Sequence, residues 1–123
     1  MRRLLILLAL APMLMGQGIP RSNCGFSEGW DLLRSAEREA AKPVAGITEG
    51  RERGEAVLAA LRRAAGQFLR CGCPRLAEMT QEAAVAVASA PSEASVARLT
   101  TVLGNTRFRI QLAREFFEAQ SCR

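Results

Sequence analysis

The chain has 123 residues, with 17 Lys and Arg against 12 Asp and Glu, four Cys, and neither His nor Tyr. Without His there is no imidazole base for a Ser-His-Asp or Cys-His site and no imidazole metal ligand, and the length allows one domain. Hydrophobic content of 49% and charged content of 24% are those of a globular chain, which argues against a disordered protein and against a multi-span membrane protein.

Residues 1–18 read as a signal peptide. Met1-Arg2-Arg3 is a basic start, followed by an apolar run from Leu4 to Met15 broken only by Pro12. That run is shorter than the roughly 20 apolar residues needed to cross about 30 Å of hydrocarbon. Gly16-Gln17-Gly18 supplies small residues at positions −3 and −1 of a cleavage site, so the mature chain is expected to begin near Ile19 and residues 19–123 to form a single disulfide-stabilised helical domain. Pro20-Arg21-Ser22-Asn23 separate the apolar run from Cys24, which rules out lipid attachment at that cysteine. Removing the leader takes away two of the 17 basic residues, leaving 15 against 12 acidic ones. So mild a surplus does not predict nucleic-acid binding, which calls for a concentrated basic stripe.

Behind the leader, Pro, Gly and Cys punctuate four helical patterns. Ser27 is the expected cap of a first helix near 28–41, with Trp30, Leu33, Ala36 and Ala40 at helical spacing behind Phe26 and Lys42-Pro43 closing it. A second helix is predicted near 49–70, on the stripe Val57, Leu61, Ala64, Phe68 and Cys71. Glu49, Glu52 and Glu55 lie early and Arg62, Arg63 and Arg70 late, the order the helix dipole favours. Gly72 ends it and Pro74 suits the first turn of the next. The third helix is expected near 74–90, with Leu76, Met79, Ala83, Val87 and Ala90 on one side. Ser92 is the expected cap of the fourth. There Val96, Leu99, Leu103, Thr106, Ile110, Ala113 and Phe117 recur at spacings of three and four, predicting one helix to about residue 120. Gly104-Asn105 and the alternation from Arg107 to Leu112 oppose that reading, but the apolar register is the same on both sides of Gly104.

Four cysteines in a short exported chain imply a disulfide framework with three possible connectivities. In an up-and-down four-helix bundle, Cys24 starts helix one, Cys71 and Cys73 flank the turn between two and three, and Cys122 ends helix four. All four then share one pole. A chain reversal at Gly104 would carry Cys122 to the far pole, beyond the roughly 4.4–6.8 Å Cα separation a bridge allows. The expected wiring joins Cys24 to one of Cys71 and Cys73 and Cys122 to the other, with a tight Cys71–Cys73 ring ranked last. Two sharper readings use the same residues: thiol exchange at Cys71-Gly72-Cys73 beside Arg70 and Arg75, and a zinc site of four thiolates. The second suffers from a one-residue spacing where two to four is usual.

No phosphate loop, nucleophile elbow or zinc-protease helix is present. Asp31, Glu37, Glu78 and Glu82 read as carboxylates on polar helix faces. Hence no enzyme activity, metal or cofactor is expected. The surface that stands out is late in helix four, where Phe108, Leu112 and Phe116 point nearly opposite to Ile110, Ala113 and Phe117, with Arg109 beside them. Either helix four lies centrally and touches two neighbours, or Phe108, Arg109, Leu112 and Phe116 form a ridge that binds a partner. The expectation is an exported, periplasmic or secreted, all-α interaction protein whose partner is another protein or a second copy, with no membrane anchor once the leader is gone. Thiol redox chemistry and carriage of an apolar ligand between helix faces are the alternatives.

Overall fold

The computed structural model describes residues 24–122, so the signal peptide predicted over residues 1–18 lies outside the described residues. Four helices follow in chain order: α1 (Phe26–Ala41), α2 (Ile47–Arg70), α3 (Pro74–Val87) and α4 (Val96–Gln120), with a short 3-10 turn at Ala90–Ser92. The described residues contain no strand. Each helix packs against its neighbours in sequence and α1 also packs on α4, closing a four-helix ring in which α2 and α4 are the closer diagonal pair. Turns this short reverse the chain each time, so the helices alternate in direction as an up-and-down bundle requires.

The core lies along the ring's axis. Leu33, Val57, Leu61, Phe68, Leu76, Val87, Leu99, Leu103 and Ile110 are buried there. Each such side chain contributes about 1.5–3 kcal/mol by leaving water. Most fall on the apolar stripes read from the sequence. In α1 Leu33, Ala36 and Ala40 are buried as expected, but the first position shifts: Gly29 is buried and Trp30 only half-buried. The reason is a close approach, since a Cβ on Gly29 would stand 3.0 Å from Phe68 Cε1 and 3.1 Å from Gln67 Oε1. Besides Gln67, two threonines enter the core, Thr80 and Thr106. Their hydroxyls donate to the carbonyls of Leu76 and Val102, each at 2.8 Å, so neither is left unpaired.

The helix ends carry three corrections. α1 begins at Phe26 with Gly25 as its N-cap, at a left-handed φ of 82° and with no side-chain cap, so Ser27 does not cap it. Glycine adopts that φ without steric cost. α3 stops at Val87 rather than near residue 90, because the ring of Pro91 would meet the carbonyl four residues back. α4 is capped by Ser95, whose Oγ accepts from the Arg98 N–H at 3.1 Å, while the Ser92 hydroxyl donates to the Ser89 carbonyl within the 3-10 turn. α4 then runs unbroken through Gly104-Asn105 for 25 residues. At the end of α2, Cys73 N–H donates to the Phe68 carbonyl at 2.9 Å and Gly72 N–H to that of Leu69 at 3.1 Å, with Gly72 at φ 77°. This Schellman pairing satisfies carbonyls the helix would otherwise leave open.

Candidate functional site

Two places gather the residues singled out by sequence. The first is the pole where α1 begins, α2 ends, α3 begins and α4 ends. Cys24 is bonded to Cys71 and Cys73 to Cys122, with Cα separations of 5.1 and 4.7 Å. The two residues that flank Gly72 are thus tied to opposite ends of the chain rather than to each other. Cys73 is buried and Cys122 exposed. Beneath the disulfides, Phe26 packs on Phe68 and Phe117 with ring centroids 5.2 and 5.0 Å apart, and Trp30 packs on Phe117 at 5.0 Å. Phe117 therefore faces α1. The pole is a covalently closed aromatic cap, and the sulfurs that a zinc site or a redox pair would use are those joined in the two bridges.

The second place is the face between α3 and α4. Phe108 is 59% exposed and Leu112 38%, and Phe116 is half-buried, so the ridge is graded rather than uniform. α4 packs on α1 and α3 and reaches α2 across the core, and still leaves Phe108 and Leu112 outside the contacts that bury Ile110 and Ala113. α3 adds Val85, which is 68% exposed and was not singled out by the sequence. Its signal was there to find: Val85 is an apolar residue that lies off the arc of Leu76, Thr80, Ala83 and Val87. Between the two helices runs a groove of about 590 Å³, lined by Glu82, Val85, Ala86, Val102, Phe108 and Arg109 among others and open to solvent. An apolar carrier calls for an enclosed hollow, whereas this groove is open.

The charged residues frame that groove rather than react in it. Arg109 Nη1 stands 3.8 Å from Glu82 Oε2, and Arg75 Nη1 3.1 Å from Glu78 Oε2. All four side chains are about half-exposed, so these pairs contribute little to stability. Glu37 has a different setting. It is bridged by Arg114 from α4 and is only 14% exposed. Among the described residues no cluster of His, Cys, Asp or Glu is arranged to hold a metal ion, and no helix is long and apolar enough to cross a membrane. No protein-family model matches the chain, and neither a curated protein nor a solved structure matches it significantly.

Proposed function

We propose that this is a small exported, non-catalytic helical protein that acts by binding another protein, or a second copy of itself, through the α3–α4 face. The observation that carries the reading is the exposure of Phe108 beside Val85 and Leu112. A ring that is 59% exposed forgoes much of the about 1.5–3 kcal/mol that full burial would contribute, and Arg109 at its flank is a residue type enriched at interfaces. Export is supported by the two disulfides, which persist in oxidising compartments. The absence of His from the whole chain supports a non-catalytic role.

Phe108→Asp tests it. Circular dichroism of the variant is expected to match the parent, since the side chain is already mostly in water. Sedimentation equilibrium then reports self-association, and affinity capture from the exported fraction reports a partner. The reading predicts that one of these is present in the parent and lost in the variant. Identical behaviour of parent and variant in both measurements would refute it, and unfolding of the variant would return Phe108 to the core.

A further inference from the structure

The cleft between α1 and α4, on a different side of the bundle from the α3–α4 groove, holds a concentration of charge that neither helix shows alone. It has a volume of about 250 Å³ and is lined by Arg34, Glu37, Arg38, Ala41, Arg107 and Arg114. Arg34 and Arg38 are one turn apart on α1, about 6 Å along the axis, and Arg107 and Arg114 two turns apart on α4, about 10 Å. Two arginines thus line each wall, spaced by one turn on α1 and by two on α4.

Acceptors are scarce there. The Glu37 carboxylate is engaged by Arg114, and Arg114 Nη2 also lies 3.6 Å from the exposed Glu118 carboxylate. Among the described residues, Arg34, Arg38 and Arg107 have no carboxylate within ion-pairing distance and no side-chain hydrogen bond. Arg114 Nε is buried without a partner. One of the four has a local explanation, because Arg38 sits in the last turn of α1, where the helix dipole favours a cation. That reason does not extend to Arg34, earlier on α1, or to Arg107, in the middle of α4. Arginines that face one cleft from two walls, three of them without a partner, match tetrahedral oxyanions, which accept two parallel N–H bonds from a guanidinium fork.

We propose that the cleft walled by Arg34, Arg38, Arg107 and Arg114 binds a phosphate-class polyanion. Its length favours a ligand with two phosphate groups over a single one. Glu37 acts as a positioning residue, holding Arg114 against α1 so that one guanidinium of the set is fixed. The site is independent of the α3–α4 face and stands or falls separately from it.

The test is titration of the oxidised protein with inorganic pyrophosphate at a fixed ionic strength of about 0.1 M, following arginine Nε–H resonances. Saturable shifts are expected at Arg34, Arg38, Arg107 and Arg114. Arg34→Gln and Arg107→Gln should each weaken binding about tenfold, the effect of losing a charged hydrogen-bonding group, with helicity by circular dichroism unchanged. Arg62→Gln is the control, since Arg62 is also exposed and unpaired but lies on α2, and it should leave binding intact. A parallel arm sediments the protein with phosphatidylcholine vesicles doped with phosphatidic acid. Co-sedimentation displaced by pyrophosphate identifies a lipid headgroup as the source, and pyrophosphate binding without co-sedimentation identifies a free ligand. The proposal is overturned by the absence of saturable shifts, by an equal loss in Arg62→Gln, or by binding of a glutamate-rich peptide when pyrophosphate gives no response.

Discussion

The two ends of the bundle solve the same closure problem with different chemistry. At one end, two disulfides overlie a cluster of Phe26, Trp30, Phe68 and Phe117. At the other, the described residues place neither sulfur nor aromatic ring, and the turns are held by close approach at glycine and by arginine side chains. A Cβ on Gly54 would stand 2.4 Å from that of Ala90, and one on Gly50 would stand 2.8 Å from both Leu99 Cδ1 and Val44 Cγ1. Arg53 donates to the carbonyls of Lys42 and Pro43 at 2.6 and 3.0 Å, and Arg51 Nε to that of Glu93 at 2.8 Å. Large rings tolerate neighbours of many shapes, whereas helices drawn together over glycine admit almost none. The covalent pole is therefore secured mainly against the unfolded chain, and the glycine pole mainly by the shape of the folded one.

Removing the disulfides should have the largest effect. The bridges span 47 and 49 residues in loops that do not overlap, so their contributions are expected to add. Each is worth about 4 kcal/mol in the chain-entropy picture. Replacing both pairs by Ser is expected to remove most of the stability of a domain this size, commonly about 5–15 kcal/mol. Guanidinium unfolding measures the loss, and peptide mapping of the oxidised protein must return Cys24 with Cys71 and Cys73 with Cys122. A bridge whose removal leaves the midpoint unchanged would break the contrast at its covalent side.

Gly54→Ala comes next. Alanine raises helix propensity, yet here the added methyl collides with Ala90, and a cost of about 1–3 kcal/mol is expected from overpacking. Ala90→Gly in the same chain should recover part of it, which a double-mutant cycle in urea would read. If Gly54→Ala stabilises instead, the close approach at that pole is wrong. Arg53→Gln is predicted to cost about 1.5–3 kcal/mol, since it removes charged hydrogen bonds to two turn carbonyls from a side chain that is 8% exposed. Faster amide exchange over residues 42–46 would accompany it, with the disulfide pole unaffected.

The smallest effect has the opposite sign. Gly66 and Gly104 lie within α2 and α4, are exposed, and have no neighbouring atom within 4 Å of where an added methyl group would stand. Gly→Ala at either should stabilise by about 0.5–1 kcal/mol. Thermal melts of Gly54→Ala and Gly104→Ala therefore separate a glycine that serves packing from one that does not.

Residue types foretold part of this and missed part. The continuity of α4 was legible, because the register of Leu99, Leu103, Thr106, Ile110 and Ala113 crosses Gly104 without a slip, and those five residues are the ones α4 buries. The ridge at Phe108 and Leu112 was legible as a direction on the helix wheel. Phe116 was not separable from them, because its burial depends on how closely the neighbouring helix approaches. Gln67, 3% exposed with its Oε1 unpartnered, was invisible on an apolar stripe that skips it. Gly50 and Gly54 carried no hydrophobic signal, although they set the spacing of one whole pole. The arginine cleft was missed because its walls come from positions about seventy residues apart, and a mild net surplus hides a local concentration.

What the chain alone determined is whatever depends on neighbours in sequence: helix type and period, the Gly72 ending, Pro74 in the first turn of α3, and the polarity that brings the four cysteines to one pole. Periodicity and turn chemistry act over a few residues, so they can be read from a few residues. Which cysteine pairs with which, which side of α4 stays in water, where glycine is indispensable and where arginines from α1 and α4 converge depended on distances between helices. Those distances are set by the joint packing of all four helices, and no single segment contains them.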